Sequence, residues 1–352
     1  MSSVLRTARV TPWRTVLAVG AGVAMIVSLI VSAFLWPTVA SQPRDVPVVV
    51  AGPSASAMQV ADRLTDHAPG AFAVNVVEDR ADAVRAIESR NAYGAVILDA
   101  TGSPEVLTTT AGSSAVAQSL ISTTAALAGA TDVIDTPAVA VTDVVPLSAD
   151  DVRGSGLAAA IFPLVMGGLL GGVALSLIVQ GATRRLVGVL ATSLASGVAI
   201  TVVLHSWFAV LQGSFWGNAA AITLSLAAMS GTIVGAASLF GRAGMAVGPV
   251  VFMLFANPIA SSATPVEFLP APWGAIGQAF PPGAAAQLLR DISYFPAADT
   301  TRPWLVLAAW TALGVILAVS AIVRSPSART LKRTDDRDVV ASSSNSAVPA
   351  AS

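Results

Sequence analysis

The chain has 352 residues, 54% of them hydrophobic and only 11% charged, against about 25% charged in an ordinary soluble domain. Its formal net charge is −1 and it has no cysteine, which excludes disulfides, thiolate metal sites and cysteine nucleophiles. The only histidines, His67 and His205, are too far apart in sequence to suggest a metal cluster.

The first apolar run, 15–36, follows Arg6, Arg9 and Arg14. It is too long for the apolar core of a signal peptide, and "LWPTVASQP" is a poor cleavage site, so an uncleaved membrane anchor is expected. The next stretch, 37–155, is different text. Fourteen of the 20 acidic residues fall in it, with six arginines. "PVVVAG" predicts a strand. "SASAMQVADRLTDHA" predicts a helix with Ser54 or Ser56 at its N-cap and Val60 and Leu64 one turn apart. "AFAVNVV" is a second strand, and "DRADAVRAIESR" a helix with Val84 and Ile87 on one face. "YGAVILD" is a third strand, with Ile97 expected in the central sheet, and "EVLTTTA" a fourth. "SSAVAQSLISTTAALAG" is a helix with Val116, Leu120, Ile121, Thr124 and Leu127 along one stripe, and "AVAVTDVVPL" returns to strand. Such alternation predicts an α/β domain with partly parallel pairing.

Five further apolar runs follow, at 156–179, 186–210, 217–240, 243–260 and 303–323, each close to the length a membrane helix needs. Arginine and lysine fall before the first run, at Arg184 and Arg185, at Arg242, and after the last run at Arg324, Arg329, Lys332, Arg333 and Arg337. With six spans all four places lie on one side, which the positive-inside rule makes the cytoplasm. The expected fold is therefore a polytopic α-helical membrane protein. It has six transmembrane helices and an extracytoplasmic α/β domain inserted between helices one and two. Residues 1–14 are a cytoplasmic N-terminus, 156–323 a five-helix membrane domain and 324–352 a polar, disordered cytoplasmic tail. Only Lys332 among the 19 basic residues is lysine. With abundant Ala, Val and Gly, this points to a high-GC bacterial genome, hence to a bacterial cytoplasmic membrane.

No phosphate-binding GxxxxGK[ST] loop is present, so the chain itself does not hydrolyse ATP in that way. No acid/base or nucleophile cluster predicts an enzyme, and no catalytic, cofactor or metal site is expected. No nucleic-acid partner is expected either. "GGLLGG" pairs Gly167 with Gly171 and Gly168 with Gly172 at the spacing that lets helices approach closely. None of the six runs contains Asp, Glu, Lys or Arg, which argues against an autonomous proton-driven pump. His205 is read as an interfacial residue beside Trp207, and His67 as a surface residue. Pro163, Pro249 and Pro258 predict kinks or hinges.

The segment 261–302 is too polar for a span and too apolar for an ordinary loop. Trp273, Phe280, Tyr294 and Phe295 suit a membrane interface. After Pro281 and Pro282, a stripe of Ala285, Leu288, Leu289, Ile292 and Phe295 predicts a short helix. The expected form is a re-entrant or interfacial hairpin capping the outer face. Trp273, Leu288, Leu289, Arg290 and Ile292 are its candidate site residues, with Arg290 reaching the interface or lipid headgroups.

One span, an exterior α/β domain and five more spans resemble the YhgE/Pip group of membrane proteins, within the ABC type-2 permease superfamily. The residues carrying the resemblance are "VPVVVAG", "ADAVRAIESRNAYGAVILD" and "FLPAPWGAIGQAFPPGAAAQLLRDISYF". Tyr93, Gly94, Ala95, Leu269, Pro270, Pro281 and Arg290 match the group's pattern. The usual Asn after the first strand is missing from "VVAGPSAS", and the exterior domain is short for the group.

The resemblance implies a permease-type subunit of an exporter for a lipid, drug or envelope polymer. Its partners would be the bilayer, a separate ATPase subunit and further subunits of a homo- or hetero-oligomer. Arg184, Arg185 and Arg242 are the candidate cytoplasmic contacts. "QGATRR" is short for a helix that couples to an ATPase, so the alternative is a non-transporting scaffold or receptor whose exterior domain binds a partner.

Overall fold

The structure, a computed structural model, describes residues 11–98, 104–129 and 139–324. Arg6, Arg9, the end of "YGAVILD" and the tail with Arg329, Lys332, Arg333 and Arg337 lie outside the described residues. The described residues are mostly helical, with five apolar helices long enough to cross a membrane and a small mixed sheet among them.

Helix α1 (Trp13–Ala40) continues through Pro37 and leaves almost its whole length uncovered. Leu17, Met25 and Leu29 are each more than two-thirds exposed. A continuous apolar cylinder of this kind is stable where hydrocarbon replaces water.

The sheet comes next in the chain. Its strands are β1 (Val46–Ala51), β2 (Phe72–Val77), β3 (Gly94–Leu98), β4 (Pro104–Thr108) and β5 (Ala140–Asp143). The spatial order is β2-β1-β3-β4-β5. Strand β1 runs parallel to β2 and β3, β3 antiparallel to β4, and β4 parallel to β5. Because side chains alternate across a strand, β1 serves two cores. Val46, Val48 and Val50 face α2 (Ser54–His67) and α4 (Thr110–Gly129), whereas Val49 and Ala51 face α3 (Arg80–Glu88). Ile97 is buried on the α3 side, as expected of a central strand.

Local signals explain the helix ends, with one correction. Asp79 caps α3, its carboxylate accepting from the Asp82 N–H at 2.8 Å. In α4 the backbone breaks at Ser113, whose hydroxyl accepts from the Val116 N–H at 3.3 Å and starts the long part of the helix. Neither Ser54 nor Ser56 caps α2. The helix begins at Ser54 directly after Pro53, with no side-chain cap, so proline's fixed φ ends the preceding turn in place of a hydroxyl.

The bundle is organised around α7 (Phe215–Phe240), which packs against α5 (Ser155–Ile178), α6 (Ala182–Thr201) and α10 (Thr301–Arg324). Ile222, Met229 and Ile233 of α7 are fully buried. Close approach to α5 depends on Gly168 and Gly172. A Cβ on Gly168 would sit 2.9 Å from Met229 Cβ, and one on Gly172 3.0 Å from Ser230 Cα. Of the four glycines in "GGLLGG", this pair makes the contact; nothing lies within 4 Å of a Cβ on Gly171. Helix α6 runs on as a π-helical stretch, Val202–Trp207.

The fifth expected span is not a long α-helix. Residues Gly241–Ala246 form a 3-10 turn and Gly248–Ala256 a π-helical stretch, in which the Asn257 N–H reaches the Phe252 carbonyl at 2.9 Å. Pro249 sits in the first turn of that stretch. It has no N–H to continue an α-helical ladder. The wider i→i+5 spacing absorbs the break.

Candidate functional site

The segment expected as a re-entrant or interfacial hairpin packs between sheet and bundle. It is built from a 3-10 turn at Val266–Phe268, a short helix α8 (Trp273–Gly277) and α9 (Pro281–Tyr294). Helix α9 is buried on nearly every side, where an interfacial helix would bury one face only. Leu288 and Leu289 belong to the bundle core and Ile292 packs against it. Towards the sheet, Phe268 completes the core that Val46, Val48, Leu64 and Val96 form.

Polar chemistry follows the same seam. Arg90 ends α3 in a left-handed conformation, φ 61, at a place where glycine is usual. The turn carries its guanidinium to the carboxylate of Asp291 on α9, where Asp291 is buried and Arg90 mostly so. The same guanidinium lies 5.7 Å from the centre of the Phe295 ring, a cation–π distance. Beside it the Tyr93 hydroxyl donates to Glu267 at 3.1 Å. Burial pushes the Tyr93 phenol up to about 12, Arg90 opposing and Glu267 adding to the rise. Burial also raises the Asp291 carboxyl, against the pull of Arg90 and Arg290.

Arg290, expected at the interface or at headgroups, is buried in the seam. Its side chain is 8% exposed and donates to the Ser262 carbonyl at 2.8 Å. The neighbouring Leu288 and Leu289 anchor the helix on the bundle and hold the guanidinium on the sheet side, inside the seam. Burial first, and Arg90 next, bring Arg290 down to about 10, so it is charged at neutral pH. Between Arg90, Tyr93, Glu267, Gln278, Arg290 and Asp291 lies a cavity of ≈ 230 Å³.

Trp273 is half-buried and begins an aromatic chain. Its ring meets Trp36 of α1 edge-on at 5.7 Å and Phe255 at 6.2 Å. Phe255 meets Phe280 at 5.4 Å, and Phe280 meets Trp310 at 5.5 Å. Arg44, which sequence reasoning did not single out, joins three elements. It donates to the carbonyls of Ala40 at 2.9 Å and Phe268 at 2.5 Å, just before β1 begins. Its position between an apolar helix and a strand was the only local hint.

At the other end of the bundle, Arg184 and Arg242 are exposed, whereas Arg185 is spent on structure. It donates to the carbonyls of Val179 at 2.7 Å and Ser176 at 2.8 Å, satisfying the free end of α5. His67 is exposed. His205 lies 3.3 Å from the Asn218 amide and edge-on to Phe215, while Trp207 is 77% exposed and stacks on Phe208. Among the described residues, no group of three or more His, Cys, Asp or Glu is placed to hold a metal ion.

No protein-family profile, curated protein or solved structure matches the chain.

Proposed function

We propose that the chain is a permease-type membrane subunit of an exporter, related to the YhgE/Pip group and working with a separate ATPase. The observation that carries this reading is the buried Arg90–Asp291 pair. It fastens the α/β domain to α9, whose Leu288 and Leu289 lie in the bundle core. Any rearrangement of the bundle around α9 is then felt by the domain, which is what a machine with an exterior gate requires.

The membrane arrangement in this reading has six passages, the α/β domain outside and both termini in the cytoplasm. Five are the long helices. The sixth is 243–260, and it is supported by where its ends lie. Gly244 packs on the Ala236 backbone near the C-terminal end of α7. Ala260 accepts from Gln278 of the hairpin at 3.1 Å. The hairpin in turn meets the N-terminal end of α7, where Ser293 donates to Asn218 at 3.2 Å. These contacts support a passage alongside α7.

A second reading, a non-transporting scaffold or receptor, draws on two observations. The connection between α5 and α6 is only residues 179–181, leaving little for an ATPase to grip. Hydroxyls inside the bundle turn back on their own helices, as in Ser225 to Ala221 O at 2.7 Å and Ser230 to Leu226 O at 2.6 Å, so they line no polar path. Affinity purification of the whole chain in mild detergent separates the two. A stoichiometric ATPase whose hydrolysis responds to the chain is expected. Recovery of the intact chain with no ATPase, from cells whose efflux is unaffected by deleting it, overturns the permease reading.

A further inference from the structure

The cavity between the α/β domain and the hairpin holds polar groups with nothing to bond. Gln278 is 6% exposed, and its Nε2 donates to the Ala260 carbonyl at 3.1 Å. That bond fixes the amide orientation, since the flipped form would set two oxygens against each other. Gln278 Oε1 then has no hydrogen-bond partner, and neither has the buried Ser261 Oγ. Both residues line the cavity. A buried polar atom left unpaired is costly, so such atoms are uncommon and call for an explanation.

The charges follow a similar pattern. Arg90 and Asp291 neutralise each other. Exposed Asp299 accepts from the Thr301 N–H at 2.9 Å. Arg290 and Glu267 remain. Among the described residues, neither has an oppositely charged side chain at ion-pair distance. Arg290 makes one hydrogen bond, to the Ser262 carbonyl, with a group that has five N–H donors. Glu267 accepts one, from Tyr93.

Thus the cavity offers an unpaired carboxylate and an orphan acceptor, which suit an ammonium group, and an unpaired guanidinium and an orphan hydroxyl, which suit an anion. We propose that this cavity binds a small zwitterion, an ammonium group joined by a short linker to a phosphate or carboxylate. Glu267 and Gln278 Oε1 hold the ammonium, and Arg290 and the Ser261 hydroxyl hold the anion. A bare anion would leave Glu267 and Gln278 Oε1 unsatisfied, and a bare cation would leave Arg290 so. The volume of ≈ 230 Å³ is several times the ~30 Å³ share of one water molecule. The site stands apart from the transport reading, because a subunit that exports nothing would hold the same ligand.

The chemistry fits a phosphatidylethanolamine headgroup or a free small zwitterion, and the test separates them. Purified full-length protein in detergent is titrated calorimetrically with O-phosphoethanolamine, with glycine, and with inorganic phosphate and ethanolamine as half-ligands. In parallel, its thermal unfolding is compared in phosphatidylethanolamine and phosphatidylcholine nanodiscs. For a free ligand, one soluble zwitterion binds saturably, at least about tenfold tighter than either half. For a headgroup, only the phosphatidylethanolamine discs raise the unfolding temperature. Glu267→Gln, which retains an acceptor for Tyr93, abolishes whichever signal appears while leaving the ligand-free protein folded. Gln278→Leu reduces it. If neither zwitterion binds and the two discs give the same unfolding temperature, the cavity holds water alone and the proposal fails. It fails equally if phosphate alone matches the zwitterion, or if Glu267→Gln binds like the parent.

Discussion

Arg90 and Asp291 are 201 residues apart in the chain and meet as a buried ion pair between the sheet domain and α9. Removing one partner leaves the other charged and dry. Asp291→Asn is expected to destabilise the protein by about 3–5 kcal/mol, whereas Arg90→Met with Asp291→Leu together costs much less, because no buried charge remains. Thermal unfolding of the single and double variants in the same detergent measures this. A double variant as unstable as the single would show that the pair does not act as a unit.

Phe268 belongs to the hairpin but sits in the core of the α/β domain. Phe268→Ala should cost about 3–5 kcal/mol, the range for emptying a buried aromatic site. The loss should appear as faster proteolysis within residues 46–143, with the membrane helices still protected. Unchanged cleavage would mean that the domain core closes without the hairpin.

The α5–α7 contact makes a sharp contrast within one motif. Gly172→Leu drives a side chain into Ile233 and the Ser230 backbone, and overpacking of this kind costs about 1–3 kcal/mol. A Cβ on Gly171 meets nothing within 4 Å, so Gly171→Leu is expected to be near neutral. Recovery of monodisperse protein in detergent compares them, and equal recovery would remove the helix contact.

Both tyrosines of the chain, Tyr93 and Tyr294, are raised above the ordinary value of 10.0, chiefly by burial, Tyr93 to about 12. A pKa raised by folding stabilises the protonated form. The contribution is fully present below pH 10 and is lost as pH climbs towards the folded value. Tyrosinate absorbance of the native protein should therefore lag behind that of the unfolded chain, and stability should fall above pH 10. A native titration centred at 10 for either tyrosine would contradict the burial of that ring.

The chain has no cysteine, so single cysteines report membrane sidedness directly. His67→Cys on α2 and Arg184→Cys at the start of α6 replace exposed residues. In intact cells a membrane-impermeant maleimide should label the first and reach the second only after lysis. Labelling of both from outside would break the six-passage arrangement.

Much of this protein is written locally. The apolar run "PVVVA" marked a strand, buried on both faces in β1, and the stripe from Val116 to Leu127 set the buried face of α4, because each rests on neighbours a few positions away. Long uncharged runs marked the five apolar helices for the same reason. The 243–260 segment passed that length test and yet forms 3-10 and π turns around Pro249, a break that the sequence marked as a kink or hinge but that a length test does not register. Arg290 looked like a headgroup ligand because its helix carries an apolar stripe. Only tertiary structure shows that the sheet domain covers the other side of α9 and buries that guanidinium. The meeting of Arg90 with Asp291, the entry of Phe268 into a distant core and the orphan oxygen of Gln278 are likewise decided by packing. Their partners lie far away in sequence, and no periodicity along a single element encodes which distant backbone will be pressed against it.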